Sequence, residues 1–472
     1  MDYVKPEQFL DSKDEPQRHW LALPTLCAAV LVAQIDTSVV NLGARPIGAA
    51  FNAPVEALQW VVDSYNLVYA ALLLTGGLLA DLVGRRRIFM AGAAMFTAAS
   101  LLCAFAPAIS ILIAGRALAG LGAALLLPSS LAIIRVAWPN PAARGRVLGI
   151  WTGCNGVALA IGPTLGGWLI AGFGWRSIFL IVVPLGAAAF ISALRAVPES
   201  SDPQNRAFDA AGQIFGAVAL AGLAVAAIES RRAVLAAAGA FVIAAIAFVF
   251  FLRAERKRGP AALVPLGLFG IAEFRGAVTA TLGMTFGMYG LLFLLPLFWL
   301  SAGALSATAA GLALTPSAIA YVLTSPFSGA LSERLGARLM TAGGVAVIGA
   351  GLLLIAATAS AASIVGAEIG LALTGIGMGM ATGPLMAVAV GAVAAARSGT
   401  AAALINVARM AGATTGVAIL GAAYALIGGV GGLRLAMALG GAAQVTAAMI
   451  AWRTTTREGI PTCGCGGASG EL

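Results

Sequence analysis

Long apolar runs separated by short polar breaks shape this chain. Runs of a length that crosses a bilayer as a helix, about 20 residues, predict crossings at 20–43, 59–82, 88–107, 109–134, 147–170, 176–195, 211–229, 233–252, 276–302, 309–331, 339–361, 363–388, 401–425 and 434–453. Two longer polar breaks divide them. Pro198 to Asp209 follows the sixth run, and Arg253, Arg256, Lys257 and Arg258 follow the eighth. The expected organisation is an N-terminal segment 1–19, a six-helix bundle 20–195, an insert 196–275 with helices near 211–229 and 233–252, a second six-helix bundle 276–453 and a tail 454–472. Leu263 to Phe274 is apolar but interrupted by Pro265, and reads as lying on the membrane surface.

Two breaks are alike. GLLADLVGRRR runs from Gly77 to Arg87, and GALSERLGAR from Gly329 to Arg338. Gly77, Leu79, Asp81, Gly84 and Arg86 recur 252 residues later as Gly329, Leu331, Glu333, Gly336 and Arg338. Such a repeat in an apolar chain implies two homologous bundles, the construction many secondary transporters use for alternating access. The same offset takes Asp63 to Thr315 and Arg116 to Glu368. Matching Gly120 to Gly375 instead inserts three residues and moves Glu368 about one turn outward.

Composition sets the class. The chain has 472 residues, 60% hydrophobic and 10% charged, with mean hydropathy +0.96; a soluble domain carries about 25% charged residues. The net charge of +9 follows topology. With the N-terminus in the cytosol, 21 of 28 basic residues fall on the inner side, and Arg45, Arg176, Arg231, Arg232 and Arg434 on the outer. Both termini are therefore expected in the cytosol, in a multi-pass protein of the inner (plasma) membrane. No basic face is left for nucleic acid. The mixed, acidic N-terminus and a first run long enough to span give no sign of a signal peptide. Cys27, Cys103 and Cys154 fall within helices and Cys463 and Cys465 in a Gly-rich tail, so no disulfide framework is expected.

The three lysines, Lys5, Lys13 and Lys257, follow no phosphate-cradling loop, which argues against an ATP-driven pump. His19 precedes the first span, so metal or histidine catalysis within the membrane is not expected, nor any enzyme activity. Charges inside spans are costly and point to function. They are Asp36, Asp63, Arg116, Glu368 and Arg409. Asp36, placed in the outer part of helix 1, is read as a proton carrier: burial and a nearby cation pull a carboxyl in opposite directions, so changing exposure loads and unloads it. The alternative is a carboxylate held permanently by Thr37, Ser38 or a neighbouring helix. Asp63, between Trp60 and Tyr65, is a second proton-coupling candidate, and Arg116 would steer Asp36.

These residues sit in patterns that resemble the major facilitator superfamily, and within it the fourteen-helix drug:proton antiporters of the EmrB/QacA type. Gln34 to Pro46 (QIDTSVVNLGARP) resembles the helix 1 motif and Trp60 to Ala70 (WVVDSYNLVYA) the helix 2 motif. GLLADLVGRRR is similar to the loop 2–3 signature, and Arg116 with Gly120 to the helix 4 motif, with Ala119 where Gln is common. GVALAIGPTLGGWL, with Gly156, Gly162, Pro163, Gly166 and Gly167, resembles the antiporter motif of helix 5. The resemblance implies an all-α polytopic membrane protein of two six-helix bundles plus two extra helices. It also implies a seal between the halves at helix 5, which otherwise reads as small-residue packing. Asp81, Arg85 and Arg86 would form an inner latch, with Glu333 and Arg338 as its weaker symmetry partner. Asn41, Tyr65, Met288, Tyr289, Glu368, Asn406 and Arg409 are candidates for the substrate cavity. Helix 9, rich in Met284, Phe286, Phe293 and Trp299 as well, reads equally as core packing.

The expected function is export of lipophilic or cationic small molecules, drugs or antibiotics, in exchange for protons by alternating access. A dedicated exporter of one endogenous metabolite, or a sensor or assembly subunit on the same fold, are the alternatives. Expected partners are the substrate, protons and the lipid bilayer around a monomer. No cofactor and no metal are expected, with the proton gradient as the energy source.

Overall fold

A computed structural model describes residues 15–138, 140–201, 209–230, 233–259, 262, 264–360, 364–393 and 397–455. Fourteen helical segments cross from one face to the other: α1 (Glu15–Phe51), α2 (Val55–Val83), α3 (Arg85–Ala104), α4 (Ile109–Ala137), α5 (Pro141–Phe173), α6 (Ser177–Ala196), α7 (Ala210–Ile228), α8 (Val234–Arg258), α9 (Ala272–Ser301), α10 (Ala307–Leu335), α11 (Leu339–Thr358), α12 (Val365–Gly391), α13 (Ser398–Ile427) and α14 (Gly429–Thr454). No strand occurs among the described residues. The face holding the start of α1 and the end of α14 is called terminal here, and the opposite face distal.

The two repeated loops have the same backbone. Gly84 ends α2 with φ +126° and Gly336 ends α10 with φ +88°, a region that costs a side chain dearly. Their N–H groups close equivalent turns, onto the carbonyls of Ala80 and Ser332 at 3.2 and 3.0 Å. Glycines further along settle how the halves align. A Cβ on Gly120 of α4 would strike the Tyr65 carbonyl of α2, and one on Gly375 of α12 the Ser317 carbonyl of α10. Gly122 and Gly377 likewise abut the backbone nitrogens of Phe96 and Ile348. Tyr65 and Phe96 are offset by 252 from Ser317 and Ile348, whereas the glycines are offset by 255. The three-residue insertion is therefore real, and Arg116 corresponds to Leu371. Glu368 lies one turn nearer the distal end.

Some helices depart from the apolar pattern. α1 runs on through Pro46 to Phe51, because Ile47 is buried and Phe51 packs edge-on against Trp175, centroids 5.5 Å apart. Asp36 consequently lies at mid-helix instead of in the outer part. α3 begins at Arg85, directly after Gly84, and ends at Ala104, so its window is shifted from 88–107. α10 is broken at Leu314 and again by a 3-10 turn at Ser325–Phe327. Pro316 and Pro326 stand at these breaks, each starting a new turn where its missing N–H is not needed. Between α8 and α9, Leu266–Gly270 forms a 3-10 turn whose Leu268 is buried and whose Phe269 packs on Phe274. Leu263 lies outside the described residues.

The inserted pair α7–α8 packs beside the N-terminal bundle. Gln213 of α7 bonds the Ala71 carbonyl and the Thr75 hydroxyl of α2. At the other end of the pair, the indole of Trp60 donates to Glu229 at 3.3 Å. Its base is fastened by Arg258 on Asp209 at 3.3 Å and by Val264 N–H donating to Glu255 at 2.7 Å. α8 turns a row of large apolar side chains outward, among them Leu235, Phe241, Ile243 and Phe248. In water that surface would be unfavourable, and in lipid it is not.

Candidate functional site

Three helices converge on one ion pair. α1 supplies Asp36 and α4 supplies Arg116, two turns in from Ile109. The guanidinium donates to Asp36 Oδ2 at 2.6 Å and, through Nε, to the Val61 carbonyl of α2 at 3.1 Å. It lies over the Tyr65 ring, 4.6 Å from the centroid, with Phe179 of α6 at 6.0 Å. Asp36 is 0% exposed and Arg116 1%. Asp36 Oδ1 has no hydrogen-bond partner among the described residues. A buried pair of this kind holds only while both charges are present, because removing either strands the other in a poor solvent. Tyr65, expected in the substrate cavity, is instead the aromatic platform beneath Arg116.

Asp63 does not join this pair. It is fully buried on α2, and among the described residues neither carboxyl oxygen has a hydrogen-bond partner. One turn distal, Gln59 crosses between the bundles and donates to the Val417 and Ala418 carbonyls of α13 at 3.0 and 3.1 Å. Gln59 was not singled out from the sequence; a buried glutamine near a helix end carries little signal until its partner helix is known.

A small cavity of about 20 Å³ lies where the bundles meet, lined by Ser38 and Asn41 of α1, Pro163 of α5, Met288 and Leu292 of α9, and Leu314, Ser317 and Ala318 of α10. That is room for roughly one water. Asn41 Oδ1 is buried there without a partner. Of the aromatic and methionine side chains of α9, Met284, Phe293 and Trp299 are core, while Phe286 and Tyr289 are partly exposed. Asn406 Nδ2 donates to the Ala402 carbonyl of its own helix at 3.1 Å. Arg409 is partly exposed. Glu368 stands half-buried in the first turn of α12, at the distal end and away from Arg116.

The helix 5 motif splits between two neighbours. A Cβ on Gly162 would collide with Ser38 Oγ, and one on Gly166 would press on Val39 at 3.0 Å, so these two seat α5 on α1. Gly167 meets the Ala307 carbonyl and Gly311 meets the Pro163 carbonyl, joining α5 to α10 of the other bundle. Thr308 donates to the Gly167 carbonyl at 3.3 Å, and the hydroxyls of Thr164 and Thr315 are 3.3 Å apart. The surroundings of Gly156 lie outside the described residues. Among the described residues, every hydrogen bond between the two six-helix bundles is in the distal half. The distal side is closed.

At the terminal face Asp81 accepts from Arg85 at 2.8 and 3.1 Å across the Gly84 turn. Arg86 and Arg87 do not turn to Asp81. Their backbone N–H groups donate to the two oxygens of Glu199 at 3.0 and 3.2 Å, and Arg86 also reaches the Val197 carbonyl at the end of α6. Glu199 was missed because it lies 113 residues away in the polar break after α6. The symmetry partner is differently built. Arg338 reaches the Trp452 carbonyl at the end of α14 and stacks on the Trp452 ring at 4.8 Å. Glu333 forms no ion pair with Arg338 among the described residues, because Ala337 stands where the first loop has Arg85. The expected Glu333–Arg338 latch is corrected accordingly.

Among the described residues no cluster of three or more His, Cys, Asp or Glu is placed to hold a metal. Cys463 and Cys465 lie outside them. Comparison with known proteins gives this geometry its context. The family profile described as Major Facilitator Superfamily matches residues 26–211 and 205–417. The chain is 34% identical over 394 residues to the multidrug resistance protein Stp of Mycobacterium tuberculosis, covering 83% of this chain and 73% of that one. It is 37% identical over 324 residues to the methylenomycin A resistance protein of Bacillus subtilis, covering 67% and 68%. To the probable actinorhodin transporter of Streptomyces coelicolor it is 31% identical over 422 residues, covering 86% and 72%. Fourteen crossings, two repeated bundles and matches running through both lead to one assignment: this integral membrane protein belongs to the Major Facilitator Superfamily, a transporter among that family's drug:proton antiporter-type efflux proteins.

Proposed function

We propose that this transporter exports lipophilic small molecules in exchange for protons by alternating access. The observation that carries the reading is the buried Asp36–Arg116 pair in the N-terminal bundle, close to where the bundles meet. A proton delivered to Asp36 cancels its charge and leaves Arg116 with only the Val61 carbonyl and the Tyr65 face. A buried cation so stripped favours a conformation that wets it, and the conformational equilibrium shifts. Asp63, unpartnered in the same bundle, is the second candidate for proton binding. The Gly167, Pro163 and Gln59 contacts are the ones that must part for the distal side to open.

The Lys/Arg bias supports a plasma-membrane orientation with both termini in the cytosol, which makes the terminal face cytosolic and this conformation inward-facing. The Asp81–Arg85 and Glu199 contacts, formed within the N-terminal bundle in this state, then brace the loop that would meet the other bundle when the cytosolic mouth closes. The energy source is the proton gradient, with no cofactor, and the working unit is a monomer. The cationic subclass of substrates would need a carboxylate facing the cavity, and Asp36 and Asp63 are both fully buried in this state. The names of the Bacillus and Streptomyces relatives refer to one compound each, which supports a dedicated exporter as the second reading.

The test is the full chain in proteoliposomes with an internal pH dye. Adding ethidium, or a panel of lipophilic antibiotics, should release protons from the lumen in the wild type and not in Asp36→Asn. Transport of the panel without any proton movement would remove the coupling. Neither transport nor proton flux for any compound would favour the sensor or assembly reading.

A further inference from the structure

Arg409 is a cation inside the membrane bundle without a counter-charge among the described residues. It lies 11 residues into α13, at about 1.5 Å per residue roughly 16 Å from the terminal end. Half of a bilayer's hydrocarbon core is about 15 Å, so its Cα is near mid-depth. The acidic residues within the crossings are placed elsewhere: Asp36 on Arg116, Asp63 shut away on α2, Glu368 in the distal first turn of α12. Arg409 forms neither an ion pair nor a hydrogen bond among the described residues. The other mid-membrane arginine, Arg116, shows what the fold normally provides: a carboxylate, a carbonyl and an aromatic face.

Two phenols accompany Arg409. Its chain neighbours Val407 and Met410 pack in one cluster with Tyr69 of α2 and Tyr289 of α9, so the group draws on both bundles. The register agrees for α2, since Gln59 bonds Val417 and Ala418 and the antiparallel path then brings Tyr69 level with the turn before Arg409. Met410 packs with Tyr65 and Tyr69, and Val407 and Tyr289 pack against the same group. Neither Tyr69 nor Tyr289 has a hydrogen-bond partner among the described residues; Tyr69 is buried and Tyr289 partly exposed. Arg409 and Tyr289 are partly exposed although the helix flanks around them are buried, which places them on an internal, wettable surface. Asn406, one turn toward the terminal face, has its Nδ2 tied to Ala402.

Intramembrane charges are paired, or they face the pathway of what is carried. A guanidinium with free donors beside two phenolic hydroxyls is a recognition group for an oxyanion, and the surrounding Met410, Val407 and aromatic rings suit an apolar body. We propose that Arg409, with Tyr69 and Tyr289, binds the acidic group of the substrate, and that the substrates include lipophilic weak acids carrying a carboxylate or an acidic phenol. This rests on the transport reading above and narrows it. It also differs from it, since a cation would be repelled from this part of the pathway. The anion becomes the missing partner of Arg409, and because the phenols come from opposite bundles, its binding holds the two together on the terminal side of the small cavity.

Binding alone tests this. The full chain, purified in detergent, is titrated with pyrene-1-butyrate and with its methyl ester, followed by pyrene anisotropy. The wild type should bind the acid at least tenfold more tightly than the ester, and Arg409→Gln should erase the difference. Arg409→Lys, keeping the charge without the fork, should retain part of it. Tyr69→Phe and Tyr289→Phe should each weaken the acid several-fold. Should Arg409→Gln lose its monodisperse elution, the lysine and phenylalanine variants carry the comparison. Equal affinity of the wild type for acid and ester, binding of neither, or unchanged selectivity across the variants overturns the proposal. Selective binding of the acid by a protein that moves no protons in vesicles would instead refute proton coupling and leave this site standing.

Discussion

The two terminal loops, 252 residues apart, share a backbone and differ in their charges. Both turn on a glycine with positive φ, and in both the arginine two residues on reaches a carbonyl near the end of the last helix of its own bundle. The N-terminal loop adds two carboxylates, Asp81 on Arg85 and Glu199 on the N–H groups of Arg86 and Arg87. The C-terminal loop replaces Arg85 by Ala337 and leaves Glu333 without a pair. The same asymmetry recurs inside the membrane. Arg116 corresponds to Leu371, and Asp63 to Thr315. The scaffold is duplicated, while the groups that respond to charge are concentrated in the N-terminal bundle. Under the proposed coupling, a proton would bias one bundle against the other, which a fully symmetric pair could not do.

The largest expected effect breaks this asymmetry at its centre. Asp36→Asn leaves Arg116 buried without its counter-charge, a loss of about 3–5 kcal/mol for pairs of this kind. The melting temperature of the purified protein should fall clearly. Asp36→Asn combined with Arg116→Gln should recover much of the loss without recovering proton-coupled transport. If the double variant melts as low as the single one, the pair is not what Asp36 contributes.

A middle-sized effect sharpens the shared part. Gly120→Val and Gly375→Val both drive a side chain into a neighbouring helix's backbone, a change worth about 1–3 kcal/mol or more in a packed interior. Thermal stability should drop by similar amounts in the two variants. A large loss at Gly120 with none at Gly375 would undo the alignment that places Arg116 opposite Leu371.

The smallest effect separates the loops. The Asp81–Arg85 pair is part-buried, and such pairs contribute about 0.2–1 kcal/mol. Asp81→Ala should slow turnover in vesicles and raise labelling of a cysteine introduced in the terminal mouth, whereas Glu333→Ala should change neither. Ala337→Arg offers Glu333 the missing partner and should slow opening slightly. Equal responses to Asp81→Ala and Glu333→Ala would show that the loops do the same work.

Much of the architecture was legible before any coordinates. Apolar run length gave the crossings, because lipid forces each segment to satisfy its backbone within itself. Arg116 and Asp36 stood out as charges in apolar runs, while which carboxylate Arg116 would meet stayed open. Glu199, Gln59 and Gln213 did not stand out, since each lies near a helix end, where polar residues are ordinary. Their partners are 113, 358 and 138 residues away. Helix ends were misjudged where packing extended a helix past its apolar stretch, as at Ile47 and Phe51, or where prolines broke one inside it, as in α10.

What the sequence determined by itself is the class of molecule, the count of crossings, the duplication and the short list of intramembrane charges. These depend on local composition and on repetition, which need no knowledge of neighbours. Only the tertiary structure decided which charges are satisfied. It set Asp36 on Arg116, left Asp63 and Arg409 without hydrogen-bond or ion-pair partners among the described residues, and turned Tyr65 from the cavity to the ion pair. Glycines in contact with a carbonyl decided the alignment of the halves where counting along the chain left two choices. Pairing is a property of distance, and distances between helices are fixed by packing that no single stretch of the chain contains.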